Sequence, residues 1–459
     1  MKKRSSVFKR WLIPPATLVV VGLITPSGRA TETADDLNLG GTATVFQSNS
    51  QGFSLPFPTL SGIERLQFQA GDALFTEAWV SSPSSTVGRD GLGPLMITKA
   101  CANCHLKDGR GAPPKDENDE PVGLLLRLSS EEAHAYGDQI QNRAVLGAEP
   151  EASIKFTWTE KPEGFPDGSS VNLRSPTIRL DKLAYGPLPS DLQMSARLAP
   201  PQHGLGLIDS VDAATILEWV DEQDENGDGI SGRANYVFSH STNKIELGRF
   251  GWKASQPSLR DQDASAFNGD MGLTSTLFPL QNCSDRQTVC KDLPNGGDPE
   301  VTDKQLNLMF HYSRFIAVPA RRDVDDAEVK KGRTLFFEAN CQSCHRPSMV
   351  TSANADHKLL QNQKVWPYSD FLLHDMGEGL ADHRADGLAS GTEWRTPPLW
   401  GIGLTGVVNP NEFYLHDGRA RSVEEAILWH GGEGEKSRDA YKGLSAENRK
   451  ALLRFLKSL

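Results

Sequence analysis

The sequence has no long apolar run outside its first thirty residues, few cysteines and no excess of basic residues. Among its 459 residues there are six cysteines, and the 48 Lys and Arg are outnumbered by 59 Asp and Glu. A spanning helix needs about 20 consecutive apolar residues, so we expect the mature chain not to be an integral membrane protein. The acidic balance disfavours nucleic acid as a partner. These absences indicate a soluble globular protein, long enough for roughly two or three domains.

Residues 1–30 have the order of a secretory signal peptide. A basic start is followed by an apolar run over 11–24 and then by small and polar residues up to Ala30. A permanent anchor is the alternative, but the run is shorter than a spanning helix. We predict export to the periplasm, with cleavage near Ala30. Loss of the segment's six basic residues changes the formal net charge from −11 to about −17, which suits a basic redox partner and is also common in secreted proteins.

Four cysteines lie in two Cys-x-x-Cys-His sequences, at 101–105 and 341–345. Two thiols at this spacing reach both vinyl groups of one haem, and the following His supplies a proximal iron ligand. Zinc sites and thioredoxin-like pairs are alternatives, but two matches in one exported chain favour haem. The sequence therefore predicts two covalently bound haems c, held by Cys101, Cys104 and His105 and by Cys341, Cys344 and His345.

The other two cysteines, Cys283 and Cys290, lie seven residues apart in a polar stretch. An exported protein meets an oxidising compartment, so we expect a short disulfide between them. Two free thiols are the alternative.

Apolar residues at helical spacing predict a mainly α protein with two cytochrome c-type haem domains. The N-terminal domain spans 31–317 and is expanded by loops and by a small β element, where apolar residues alternate over 153–180. A string with Pro319 and a run of charges marks the boundary. A compact cytochrome c domain follows over 318–459.

The C-terminal third resembles the bacterial di-haem cytochrome c peroxidases. The resemblance rests on Trp394-Arg395-Thr396-Pro397-Pro398-Leu399 and on Tyr414-Leu415-His416-Asp417-Gly418. In that family a Met fourteen residues after the His ligates the electron-transfer haem. That position is His430 here, so the resemblance implies His345/His430 coordination and a lower potential than a His/Met pair. His430 as an ordinary residue at a helix end, or Met376 as the ligand, are the alternatives.

The whole chain is similar to the di-haem oxidoreductase, or putative peroxidase, family, also called thiol-oxidoreductase-like. The matching segments are 90–94, 108–111, 250–254, 270–272 and 393–432. The resemblance implies an enzyme that reduces hydrogen peroxide or another small oxidant. Electrons from a small donor, such as a cytochrome c or a cupredoxin, would enter at the haem on His345 and pass to the haem on His105. A pure electron-transfer cytochrome is the alternative.

The distal face of the first haem is not assigned by the sequence. The classical peroxidases place a distal His shortly after the first motif, but Leu106–Ala133 contains none. The candidate ligands are Met194, His203, Met271 and His134, with burial in the apolar core the alternative for each Met. The candidate acid–base or polarising groups are Glu132, Arg197 and Asp270, with a solvated surface charge the alternative for each.

A second metal motif covers 224–230, which follows the Asp-x-Asn-x-Asp-Gly pattern of a calcium loop. Its predicted ligands are Asp224, Asn226, Asp228 and Ile230. Position twelve is Asn235 instead of the usual Glu, so we expect a looser site than an EF-hand. A simple turn after the preceding helix is the alternative.

Overall fold

A computed structural model describes residues 34–132, 135–409 and 412–459. The predicted signal peptide and His134 lie outside the described residues. Contacts group Asp35–Leu459 into one unit, and the predicted boundary near 317 stays a prediction. Within the described residues, no helix combines the length and apolar character that a membrane crossing needs.

The prediction of a mainly α protein is wrong. Helix accounts for 30% of the chain and strand for 19%, and the described strands pair into seven two-stranded sheets. Most of these strands have two to six residues, which is too short for alternation of apolar and polar residues to stand out in the sequence.

The α-helices of the described residues are α1 (Gly62–Thr76), α2 (Cys101–Cys104), α3 (Leu205–Asp209), α4 (Ala213–Leu217), α5 (Leu259–Met271), α6 (Asp303–Arg314), α7 (Ala327–Glu338), α8 (Thr405–Val408), α9 (Val423–Leu428), α10 (Glu435–Gly443) and α11 (Ala446–Ser458). The strands are β1 (Thr44–Val45), β2 (Leu95–Met96), β3 (Leu124–Ser129), β4 (Arg143–Ala144), β5 (Ser153–Gly164), β6 (Ser170–Asp181), β7 (Gln193–Leu198), β8 (Tyr236–Ser239), β9 (Lys244–Leu247), β10 (Val318–Pro319), β11 (Met349–Val350), β12 (Lys364–Val365), β13 (Leu373–Asp375) and β14 (Glu393–Arg395). The pairs are β1–β10, which is parallel, and the antiparallel β2–β4, β3–β7, β5–β6, β8–β9, β11–β12 and β13–β14.

Two helix pairs organise the core, and each pair crosses at a glycine. Helix α1 packs on α6, where a Cβ on Gly71 would lie 2.3 Å from the Leu308 carbonyl oxygen. Helix α7 packs on α11, where a Cβ on Gly332 would lie 1.9 Å from the Ala451 carbonyl oxygen. In both pairs the backbones approach too closely for any side chain. Each Cys-x-x-Cys-His sequence follows the first helix of such a pair in the chain.

The alternating segment predicted as a β element forms the hairpin β5–β6, paired from Ser153↔Asp181 to Gly164↔Ser170. Its far end reaches the C-terminal helices. Glu160 pairs with Arg421 at 2.8 Å, and Asp167 in the turn pairs with Arg449 at 2.8 Å. The hairpin therefore joins the N-terminal part of the chain to the elements around the second haem motif.

Candidate haem sites

The first Cys-x-x-Cys-His sequence lines a cavity of about 1500 Å³, counting space open to solvent, which we call the His105 cavity. Cys101 and Cys104 lie on α2, and His105 follows directly. The His105 Nδ1 donates to the Pro200 carbonyl oxygen at 2.7 Å, which leaves Nε2 for a metal. Burial lowers the pKa of His105 to about 4, so the imidazole is in its neutral, metal-binding form.

The second sequence lines a mostly apolar cavity of about 1390 Å³ on the same measure, the His345 cavity. Cys341 and Cys344 lie just beyond α7, at the start of a short turn. The His345 Nδ1 donates to the Tyr368 carbonyl oxygen at 2.9 Å, the same arrangement as at His105. Burial lowers the pKa of His345 to about 4. Each cavity is lined by both cysteines and the histidine of one Cys-x-x-Cys-His sequence, so a group held by those three residues would lie in it.

His430 faces His345 across this cavity, with the two ring centroids 6.5 Å apart. It lies two residues beyond the end of α9, and its Nδ1 donates to the Ala426 carbonyl oxygen at 2.8 Å. Its Nε2 is therefore the nitrogen left for a metal. Two metal–nitrogen bonds of about 2 Å, together with the two ring radii, span about this distance. Met376, the rival ligand, also lines the cavity.

The four thiols are poorly suited to thiol exchange, which uses the thiolate. Burial raises the pKa of Cys104 to about 11 and that of Cys341 to about 12. Burial also raises the pKa of Cys101 and of Cys344. Neutral thiols fit thioether formation better than thiolate chemistry.

One other group in the described residues has the geometry of a metal site: Cys344, Asp370 and His374. His374 is held between two carboxylates, with its Nε2 2.9 Å from Asp370 and its Nδ1 2.6 Å from Glu433. These contacts, with the nearby Cys344, keep the pKa of His374 well above its ordinary value despite its burial. Attachment of haem at Cys344 would use the sulfur that this cluster would need. This cluster and a haem thioether therefore exclude each other.

The two cavities share a wall. Trp252 and Arg395 line both of them. The Trp252 Nε1 donates to the Leu198 carbonyl oxygen at 2.7 Å, and the Arg395 amide donates to the Trp252 carbonyl oxygen at 2.9 Å. The indole is thus fixed in one orientation between the two cavities.

Of the candidates for the distal face of the first haem, three line the His105 cavity: Arg197, Asp270 and Met271. The other described candidates do not line it. His203 is buried, with its Nε2 donating to the Trp400 carbonyl oxygen at 2.9 Å. Met194 lies on β7 beside a separate apolar cluster, and Glu132 is exposed.

Asp263 and Met309 also line the His105 cavity, and the sequence analysis missed both. The Ser313 hydroxyl donates to Asp263 Oδ1 at 3.1 Å, whereas Oδ2 is buried without a partner in the described chain. Burial raises the pKa of Asp263 to about 8. Asp263 lies at helical spacing from the buried Phe267 and from Asp270 on α5, so the three share one face of the helix. That spacing is the sequence signal that could have identified Asp263.

Asp270 is the other buried carboxyl on this face of α5. The Gln139 amide nitrogen donates to Asp270 Oδ1 at 3.0 Å. Burial raises the pKa of Asp270. The His105 cavity therefore contains two carboxyls held towards their neutral form, together with the Arg197 guanidinium.

The predicted calcium loop is exposed and folds on itself. Asp224 accepts the Gly229 amide at 3.1 Å, and Asn226 Oδ1 accepts the Asp228 amide at 2.8 Å. The Lys436 ammonium donates to the Asp228 carbonyl oxygen at 2.8 Å. Ile230, the last predicted ligand, lines the His345 cavity.

Cys283 and Cys290 are joined in a disulfide. The bridge closes the loop over 283–290, which leads into a short 3-10 helix over Thr288–Asp292 that includes Cys290. It lies away from the lining of both cavities.

Comparison with known proteins identifies the family. The model of the family described as "di-haem oxidoreductase, putative peroxidase" matches residues 34–133 and 151–459. The chain belongs to this family, and both Cys-x-x-Cys-His sequences lie within the matched residues. No curated protein and no solved structure matches the chain.

Proposed function

We propose that the protein is a periplasmic di-haem enzyme that reduces peroxide at the His105 cavity with electrons relayed from the His345 cavity. The bound haems would supply the one-electron chemistry. Cys101, Cys104 and His105 would hold one haem, and Cys341, Cys344 and His345 the other. The overall reaction takes up two electrons and two protons per hydrogen peroxide and releases two waters. A small redox protein, such as a cytochrome c or a cupredoxin, would supply the electrons.

The observation that carries the proposal is the difference between the two cavities. The His345 cavity is mostly apolar and has a second imidazole, His430, whose distance from His345 would let both rings hold one iron. The described lining of the His105 cavity offers no second His. It has two buried carboxyls and Arg197 instead, the kinds of group that move protons and polarise an oxygen. A haem held by both His345 and His430 would suit electron transfer, and the more polar His105 cavity would suit an oxidant.

Asp263 is our candidate for the acid–base group. Its Oδ2, which has no partner in the described chain, can take a proton or give one up without breaking an existing hydrogen bond. Trp252 and Arg395 line both cavities, so an electron would pass by these side chains from one cavity to the other.

A pure electron-transfer cytochrome remains the second candidate, because Met271 and Met309 both line the His105 cavity. Either thioether as sixth ligand would close the iron and leave no place for peroxide.

An electronic and EPR redox titration of the purified protein, combined with peroxide turnover by stopped flow, separates the two. The proposal expects a high-spin or displaceable haem, which appears when the other haem is reduced, and peroxide consumption that depends on an electron donor. Two haems that stay low-spin at every potential, with no turnover, would establish the electron-transfer cytochrome instead. Met271→Ala and Met309→Ala test the two possible thioether ligands directly.

A further inference from the structure

We propose that Arg110 binds the propionate carboxylates of the haem in the His345 cavity, so that the loop following the first haem motif helps to set the potential of the second haem. The inference rests on the proposed function only in requiring a haem in each cavity.

Arg110 is a buried cation without a counter-ion. Its side chain lines the His345 cavity and is 6% exposed. Within the described part of the chain it has neither a carboxylate nor a hydrogen-bond acceptor, and its Nε is buried without a partner. Its guanidinium carbon lies over the face of Tyr414, 5.6 Å from the ring centroid. A buried charge is costly unless it is paired, so this site requires an anion.

The other two arginines at this cavity are already engaged. The Arg395 Nε donates to the Gly251 carbonyl oxygen at 2.8 Å, and its Nη1 donates to the Thr396 carbonyl oxygen at 3.2 Å. Arg438 pairs with Glu435 at 2.7 Å and with Asp439 at 2.8 Å. Of the three, Arg110 is the one whose guanidinium has no hydrogen-bond or ion-pair partner in the described chain. The carboxylates of a haem attached at Cys341 and Cys344 are the anions that would enter this cavity, and a guanidinium fork matches a carboxylate.

Arg110 belongs to the loop that follows the first Cys-x-x-Cys-His sequence. It lies five residues after His105, the proximal ligand of the other haem, yet it does not line the His105 cavity. The loop between them is held at several points. The Tyr312 hydroxyl donates to Asp108 at 2.7 Å, and the Asn409 side chain donates to the Arg110 carbonyl oxygen at 2.6 Å.

This loop is also tied to the segment that holds the imidazole of His105. The Gln202 amide donates to the Asp108 carbonyl oxygen at 2.9 Å, and the nearby Pro200 carbonyl oxygen accepts from His105 Nδ1 at 2.7 Å. The segment from His105 to Arg110, which these hydrogen bonds hold in place, thus links the proximal ligand of one haem to a cation at the other. Arg110 is a positioning residue for electron transfer and does not touch the substrate.

The test is a spectroelectrochemical titration of the holoprotein and of Arg110→Met and Arg110→Lys. His430→Met assigns the two redox waves, because His430 lines only the His345 cavity. Removal of the cation disfavours the reduced haem, so Arg110→Met should lower the potential of the second haem. We expect a change of about tenfold in its reduction equilibrium, or about 59 mV for one electron. Arg110→Lys, which keeps the charge, should shift it less, and the wave of the first haem should stay in place.

Arg174→Met is the matched control, because it removes another buried arginine that lines neither cavity. It should leave both waves in place. If Arg110→Met leaves the second wave unchanged, or moves the first wave instead, the inference is wrong whether or not the protein reduces peroxide. If Arg110→Met yields no holoprotein, resonance Raman spectra of Arg110→Lys test instead whether Arg110 binds the propionates. The propionate bending band of the second haem should then differ from that of the wild type, and an unchanged band would overturn the assignment.

Discussion

Replacement of Asp263 by Asn tests the chemistry of the His105 cavity. The carboxyl is buried, Ser313 donates to its Oδ1, and its Oδ2 has no partner in the described chain. Burial raises its pKa from 3.8 to about 8, so it holds a proton at neutral pH. Asn has the shape of the protonated acid and keeps an acceptor for Ser313, but it cannot release a proton.

The first expected effect is on stability. In the unfolded chain Asp263 loses its proton near pH 3.8, whereas in the folded protein it keeps the proton until about pH 8. The neutral carboxyl therefore contributes stability that is fully present below pH 3.8 and is lost progressively as the pH rises through about 8. A tenfold difference in proton affinity between the folded and unfolded chain corresponds to about 1.36 kcal/mol, so the wild type should lose at most about 6 kcal/mol across this window through this group. Asp263→Asn should lose much less.

The second expected effect is on turnover. A positioned acid–base group contributes about 10²–10⁴-fold to proton transfer, so Asp263→Asn should lower kcat/KM for peroxide by that order while haem content stays the same. The assays are urea unfolding at pH 6 and pH 9 and stopped-flow peroxide consumption. Asp285→Asn, at an exposed position, is the control and should change neither.

The pH dependence of stability and the peroxide turnover test two different parts of this prediction. Parallel pH–stability curves for Asp263→Asn and the wild type would refute the raised pKa. A flattened curve with wild-type turnover would refute the acid–base role and leave Asp270 as the next carboxyl to test.

Three further predictions address the other site residues and the fold. His430→Met should raise the potential of the second haem and add a Met-ligand charge-transfer band, because Met as axial ligand favours the reduced iron; an unchanged spectrum would contradict the ligand assignment. Gly332→Ala should cost about 1–3 kcal/mol of stability, because its Cβ would lie 1.9 Å from the Ala451 carbonyl oxygen. Thermal unfolding measures this, with Gly443→Ala, whose Cβ would meet nothing within 4 Å, as the control; equal midpoints would refute the close helix approach. If the exposed loop at 224–230 binds calcium, the ion should raise the thermal unfolding midpoint of the wild type but not that of Asp224→Asn. Absence of a heat of binding in a calorimetric titration with calcium would show that the loop is not a calcium site.

The sequence alone indicates those features that depend on a short stretch of neighbouring residues. Cys-x-x-Cys-His is a five-residue pattern typical of c-type haem attachment, so both proximal ligands could be proposed without knowledge of the fold, and they stay predictions. His430 required the family resemblance, because nothing near position 430 identifies the cavity that it enters. The fold class was mistaken because most strands are too short to produce a period. Asp263 was overlooked because an acidic residue on an amphipathic helix is usually taken as exposed. Arg110 could not be assigned to the second cavity, since that placement depends on how distant segments cross.

The two attachment sequences share the Cys-x-x-Cys-His pattern, so the elements that face them are where the two sites differ most in chemistry. The end of α9 brings a neutral imidazole towards His345, and burial keeps the pKa of His430 below its ordinary value. Helix α5 brings two carboxyls into the other cavity, and burial keeps them towards the form that can donate a proton. Burial acts on both sets of groups in the same physical direction, since it disfavours charge. On an imidazole the result is a neutral ring that can ligate a metal, and on a carboxyl the result is a group that keeps its proton up to a higher pH. Under the proposed assignment, one physical effect therefore prepares one iron to carry electrons and the other cavity to cleave peroxide.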